Sequence, residues 1–130
     1  MKNQELIAKA KEVMTKAYAP YSHFQVGAAL LAKDGRVFTG CNVENATYGA
    51  TICAERTAVT KAVSEGVREF EKIAIVASSG EYAAPCGICR QVLFEFMPEG
   101  KVVLWSELEG EKEFALTELL PFGFRGEDIK

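Results

Sequence analysis

Three short runs, "VGAALLA" at 26–32, "KIAIVAS" at 72–78 and "VVLW" at 102–105, constrain this chain most. They are almost wholly apolar and too short for membrane spans. A strand that is apolar at every position, rather than at alternate ones, has both faces covered. A sheet built from such strands therefore needs helices on each side.

The stretches between these runs supply the helices. From Asn3, which is placed to cap, Leu6, Ile7, Ala10, Val13, Met14 and Ala17 recur at helical steps, and the pattern breaks at Pro20. "QVGAALLAKDGRVFTGCNVEN" predicts two strands joined by an Asp-Gly turn. A helix is expected from about Cys53 to Glu65, stopped by Gly66, and another from Cys86 to Phe96, ended before Pro98. Strand, helix, strand, helix, strand is the pattern of parallel crossovers. The six or so residues between "VVLW" and "EFAL" are too few for another crossover, so the last strand should return antiparallel. "TELL" reads as a short helix, followed by an irregular tail. The expected fold is α/β, three layers around a mixed five-stranded sheet, in a single domain over residues 1–130.

Composition narrows the function. The net charge is −3, and Lys and Arg are scattered without a basic block, which argues against a nucleic-acid partner. "MKNQELIAKAKEV" lacks a continuous apolar stretch, so no signal peptide is expected and the chain reads as cytoplasmic. Its four cysteines are then thiols or metal ligands rather than disulfides.

Two of them form the C-x-x-C of "PCGICRQ", Cys86 and Cys89, on the first turn of a helix. Thiolates there are favoured by unpaired N–H groups and the helix dipole. Cys53 opens the other helix, in "TICAERTAV". On its own a helical Cys is usually a small buried hydrophobe. In a crossover topology, however, both helices begin beyond the carboxyl ends of neighbouring strands, where open sheets gather their sites. Three thiols at two helix starts suit zinc, and the count decides the type of site: four ligands close a structural site, three leave a catalytic position open. The other candidates are Cys41 and the lone His23. Strand alternation puts Asn42 and Glu44 on one face and Cys41 on the other, so Cys41 is expected in the core. His23 is expected in a loop. With a position open, Glu55, two residues after Cys53, can carry protons beside the metal without ligating it, the arrangement of zinc deaminases.

Taken together, "YAPYSHFQVGAALL", "GCNVENATYG", "CAERTA", "PCGICRQ" and "LLPFGF" make the chain resemble the small, single-domain cytidine deaminases over nearly its whole length. The resemblance implies hydrolytic deamination of cytidine and deoxycytidine, in pyrimidine salvage, with one zinc per chain held by Cys53, Cys86 and Cys89 and with Glu55 as the proton shuttle. It also implies that Asn42 and Glu44 hold the ribose 3′-hydroxyl, that Phe24 packs against the pyrimidine, and that the Ala54 backbone contacts the base. Tyr48 would line the nucleoside pocket. Phe124, with Phe122 as a rival, would reach a neighbouring subunit's pocket in a homotetramer. Blasticidin S deaminase, which shares the zinc pattern and chain size, is the alternative within the same chemistry. A deaminase of polynucleotides fits poorly, because an internal nucleotide has no free 3′-hydroxyl. A purely structural zinc module would need a fourth ligand.

Arg56 needs its own explanation. Three thiolates and a dication sum to about −1, which weakens the metal as a Lewis acid. A guanidinium donating to a thiolate sulfur would withdraw charge, and Arg56 is expected to do so at Cys53 or Cys86.

Overall fold

The computed structural model describes residues 1–129. Its helices are α1 (Asn3–Met14), α2 (Ala54–Ser64), α3 (Gly87–Phe96) and the short α4 (Leu116–Leu119). Its strands are β1 (Val26–Ala32), β2 (Val37–Cys41), β3 (Phe70–Ala77), β4 (Lys101–Ser106) and β5 (Gly110–Ala115), in one sheet of order β2-β1-β3-β4-β5. β3 and β4 are parallel, with Ile73 opposite Val102. The remaining pairs are antiparallel, including the expected return of β5 along β4.

The apolar runs are divided residue by residue between two cores. Ala28, Leu30, Ile73, Ile75, Val102 and Leu104 face Ala58, Val59 and Ala62 of α2 and Leu93 and Phe94 of α3. Their neighbours in sequence, Ala29, Leu31, Ala74, Val76 and Val103, face Leu6, Ile7 and Ala10 of α1. Each large aliphatic side chain buried this way contributes about 1.5–3 kcal/mol. This is the three-layer arrangement the continuous runs require. The β1–β2 turn closes at Gly35, whose φ of 96° is left-handed, while Asp34 Oδ1 accepts from the Arg36 N–H at 3.0 Å.

Two local expectations are corrected. Asn3 does not cap α1. Lys2 occupies that position without a side-chain cap, while the Asn3 amide donates to Glu113 Oε1 at 3.0 Å and accepts from Lys72 Nζ at 2.7 Å. Asn3 thus ties the start of α1 to β5 and β3 instead of satisfying its own helix. Nor do the two functional helices follow adjacent strands. β2 and β3 run in the same direction but β1 lies between them, antiparallel to both. The β1–β2 hairpin occupies the place a simple crossover would leave to neighbours.

Packing brings α2 to the site. An added Cβ at Gly40 would lie 2.5 Å from the Ala58 backbone nitrogen and 2.6 Å from the Ala54 carbonyl oxygen. Only glycine allows β2 and the first turn of α2 to approach this closely.

Candidate active site

Beyond Cys41 the chain continues as a small ladder. Val43 exchanges backbone hydrogen bonds with Ile52, at 2.9 and 3.0 Å. On its other side Tyr18 N–H donates to the Asn42 carbonyl at 3.0 Å, and Glu44 N–H donates to the Tyr18 carbonyl at 2.8 Å. This pairing fixes Ile52 next to the strand that carries Asn42 and Glu44, and the following residue is Cys53.

Cys53 is the N-cap of α2 and Cys86 the N-cap of α3, both with extended backbone; Cys89 lies one turn into α3. The sulfurs of all three lie within 4.8 Å of one another, and those of Cys53 and Cys86 are 4.0 Å apart. A tetrahedral zinc with bonds of about 2.3 Å sets its sulfurs about 3.8 Å apart. The donor set and its spacing therefore fit zinc, with three ligands. Cys41 is half-buried rather than in the core, and neither it nor His23 belongs to the group. His23 sits in the loop before β1 with a left-handed φ of 59°.

The electrostatics divide the thiols. Hydrogen bonding from Cys89, and then from Arg56, brings the Cys53 thiol down to about 5 in spite of its burial. Cys89, donating to Cys53 and buried, is pushed up. Arg56 Nη2 donates to Cys53 Sγ at 3.4 Å, the contact expected from the charge of the cluster. Glu55, 5% exposed in the first turn of α2, is raised to about 7 by burial and by the adjacent Cys53 charge. A carboxyl held near neutrality can both accept and return a proton.

Asn42 and Glu44, just beyond the end of β2, are both buried. Asn42 Oδ1 accepts from the Val26 N–H at 2.9 Å and its Nδ2 donates to the Phe24 carbonyl at 2.8 Å. Glu44 borders a depression of about 300 Å³ together with Tyr21, Ser22, Tyr48 and Thr51. Tyr48 packs edge-on against Tyr21, ring centres 5.7 Å apart, and is largely exposed. Phe24 is 42% exposed, and Ala54 is fully buried at the start of α2.

Phe124 is not part of this depression within the chain. Its backbone is bracketed by Gln91 of α3, which donates to the Phe124 carbonyl at 2.7 Å and accepts its N–H at 3.3 Å. Arg90 links Pro85 and Leu119 by donating to both carbonyls, at 2.7 and 2.8 Å. Arg90 and Gln91 directly follow Cys89, so the tail is attached to the helix that carries two of the thiols. Sequence reading missed Gly40, Gln91 and Ser22. "PCGICRQ" contained Gln91, but nothing local says where an amide finds its partner.

Among characterised proteins, residues 1–105 match the family model "Cytidine and deoxycytidylate deaminase zinc-binding region". The chain is 51% identical to a cytidine deaminase of Halalkalibacterium halodurans over 130 residues, covering 99% of this chain and 98% of that one. It is 49% identical to the cytidine deaminase of Sporosarcina psychrophila over 127 residues, 97% and 93% of the two chains. The crystal structure of cytidine deaminase from Burkholderia pseudomallei superposes with a TM-score of 0.90 at 48% identity, covering 95% of this chain and all of that one.

Proposed function

The chain belongs to the cytidine and deoxycytidylate deaminase zinc-binding family, and from that premise we propose that it hydrolyses cytidine and deoxycytidine to uridine and deoxyuridine with release of ammonia. The observation that carries the reading is the placement of a buried Glu55 beside three, not four, convergent thiols.

Cys53, Cys86 and Cys89 hold the zinc, whose chemistry when bound is that of a Lewis acid which makes water acidic near neutral pH. Glu55 accepts the proton of the attacking water and delivers it to N3 of the pyrimidine as the oxygen bonds to C4. Glu55 then takes the remaining proton from the new hydroxyl at C4 and passes it to the amino group, the C4–N bond breaks as the C4 carbonyl forms, and ammonia leaves. Burial, which raises the Glu55 carboxyl, suits a group that must be base and acid in one turnover. Arg56 draws charge from the cluster through Cys53.

Phe24 packs against the base and the Ala54 backbone contacts it. Asn42 and Glu44 hold the 3′-hydroxyl, which both ribose and deoxyribose carry, and Tyr48 lines the pocket. A free 3′-hydroxyl is absent at an internal nucleotide, so this grip excludes a nucleic acid as substrate. The reaction serves pyrimidine salvage in the cytoplasm. No helix among the described residues is long and apolar enough to cross a membrane.

The assembly is a homotetramer in which Phe124 completes a neighbour's site. Supporting this, Phe122 is fully exposed and Phe124 is 55% exposed although its backbone is held, so the tail offers apolar rings that this chain does not cover. Phe122 remains the rival for that role. The relatives' names favour cytidine over blasticidin S as substrate. Parallel turnover assays test this: cytidine is consumed and blasticidin S is not, and the reverse outcome would overturn the reading.

A further inference from the structure

The carboxylate of Glu44 is gripped by the loop that precedes β1. Oε1 accepts the backbone N–H groups of Tyr21 at 2.9 Å and Ser22 at 3.1 Å, and Oε2 accepts the Ser22 hydroxyl. The same hydroxyl oxygen accepts the Phe24 N–H at 3.0 Å. A serine hydroxyl has one proton to donate and lone pairs to accept with, and Ser22 uses both. Asn42 takes the other half of Phe24, its carbonyl. The backbone of Phe24 is therefore held at its N–H by Ser22 and at its C=O by Asn42.

Between Ser22 and Phe24 stands His23, in a left-handed conformation that costs a non-glycine residue about 1 kcal/mol or more. Two anchors keep it there: the His23 N–H bonded to the Ala19 carbonyl at 2.9 Å, and the Ser22 bridge across it. A carboxylate offers about four lone-pair sites. Three on Glu44 are filled by this loop, which leaves capacity for about one more donor. The Ser22 hydroxyl is also the leading cause that holds the Glu44 carboxyl below its ordinary range, keeping it an acceptor.

We infer that Ser22 is a positioning residue for the nucleoside's sugar, setting the Glu44 carboxylate to receive the 3′-hydroxyl and tying it through one hydroxyl to the Phe24 backbone. The inference rests on the reading that Glu44 accepts the 3′-hydroxyl. Ser22 lines the same depression as Glu44. No role for it follows from the thiol cluster or from Glu55.

The test compares deoxycytidine with 2′,3′-dideoxycytidine, which lacks the 3′-hydroxyl, as the ratio of their kcat/KM values. In Ser22→Ala the ratio falls about tenfold, through KM for deoxycytidine with kcat kept within about twofold, because uniform binding is lost and not transition-state stabilisation. Ser22→Thr retains the hydroxyl and the ratio. Zinc content and thermal unfolding are measured alongside, and Ser22→Gly, which removes the same hydroxyl, replaces Ser22→Ala should the latter not fold. An unchanged ratio in the hydroxyl-less variant, with Glu44→Gln lowering it, overturns the role of Ser22 and leaves the sugar grip standing. An unchanged ratio in Glu44→Gln overturns the grip itself, and the inference with it.

Discussion

Arg56 donates to the sulfur of Cys53 from three residues further along the same helix, at 3.4 Å. The spacing puts both on one side of the first turn, so helical geometry supplies the counter-charge next to the ligand. Replacing Arg56 with Gln leaves three thiolates without it. The cluster becomes more negative and the acidity of water at the zinc falls. The acid limb of the activity profile should therefore move to higher pH, with activity at neutral pH reduced about tenfold. Activity followed from pH 5 to 9, with zinc content, checks this; an unchanged profile at full zinc content contradicts it.

Glu55→Gln keeps the shape of the side chain but cannot exchange the proton. Cytidine turnover should fall by about 10²–10⁴-fold, with zinc retained. Loss of zinc together with activity would instead mark Glu55 as needed to build the metal site.

Gly40→Ala tests how α2 is brought to β2. The new methyl would meet the α2 backbone at 2.5–2.6 Å, and backbone yields less readily than a side-chain end. The expected cost is about 1–3 kcal/mol of stability, with weaker zinc retention because Cys53 moves with the helix start. Urea unfolding and zinc content under a graded chelator measure both. A variant as stable and as metal-retentive as the parent would show that the approach is slack.

Glu44 predicts a dependence on acid. Its carboxyl is held below the ordinary range first by the Ser22 hydroxyl, then by the Ser22 and Tyr21 N–H groups and the charge of nearby His23, against partial burial. A folded-state value lowered in this way gives stability that is fully present above the unfolded value, about 4.3, and is lost as pH falls through the folded one. The stability gap between the parent and Glu44→Gln should thus be constant near neutrality and shrink below about pH 4.3. Urea unfolding at several pH values from 7 to 3 measures it; a gap independent of pH contradicts the contribution of Glu44.

What could be read from the chain beforehand divides along the line between local and distant causes. The apolar runs, the Asp-Gly turn and Gly66 act through their own backbone or both faces of their own strand, and the elements followed. The C-x-x-C spacing is likewise a property of one helical turn. The order of the sheet is different. Whether β2 or β1 lies beside β3 depends on which edge of a hairpin pairs with a strand distant in sequence. Asn3 had a sound local reason to cap, but Lys72 and Glu113 offered it partners on strands about 70 and 110 residues away. Ser22 was hidden for a similar reason. Its bridge goes with a positive φ at His23 and with the Glu44 N–H bonded to the Tyr18 carbonyl, and neither is announced by "YSHF".

The central claim is that three thiols hold the zinc on which cytidine hydrolysis depends. It is tested most directly by measuring zinc per chain together with the fall in ultraviolet absorbance on addition of cytidine, as a chelator withdraws the metal in steps. The account predicts about one zinc per chain and a rate that declines in proportion to zinc lost and returns when zinc is restored. A rate that persists after the zinc is gone, or no turnover of cytidine at full zinc content, would contradict it.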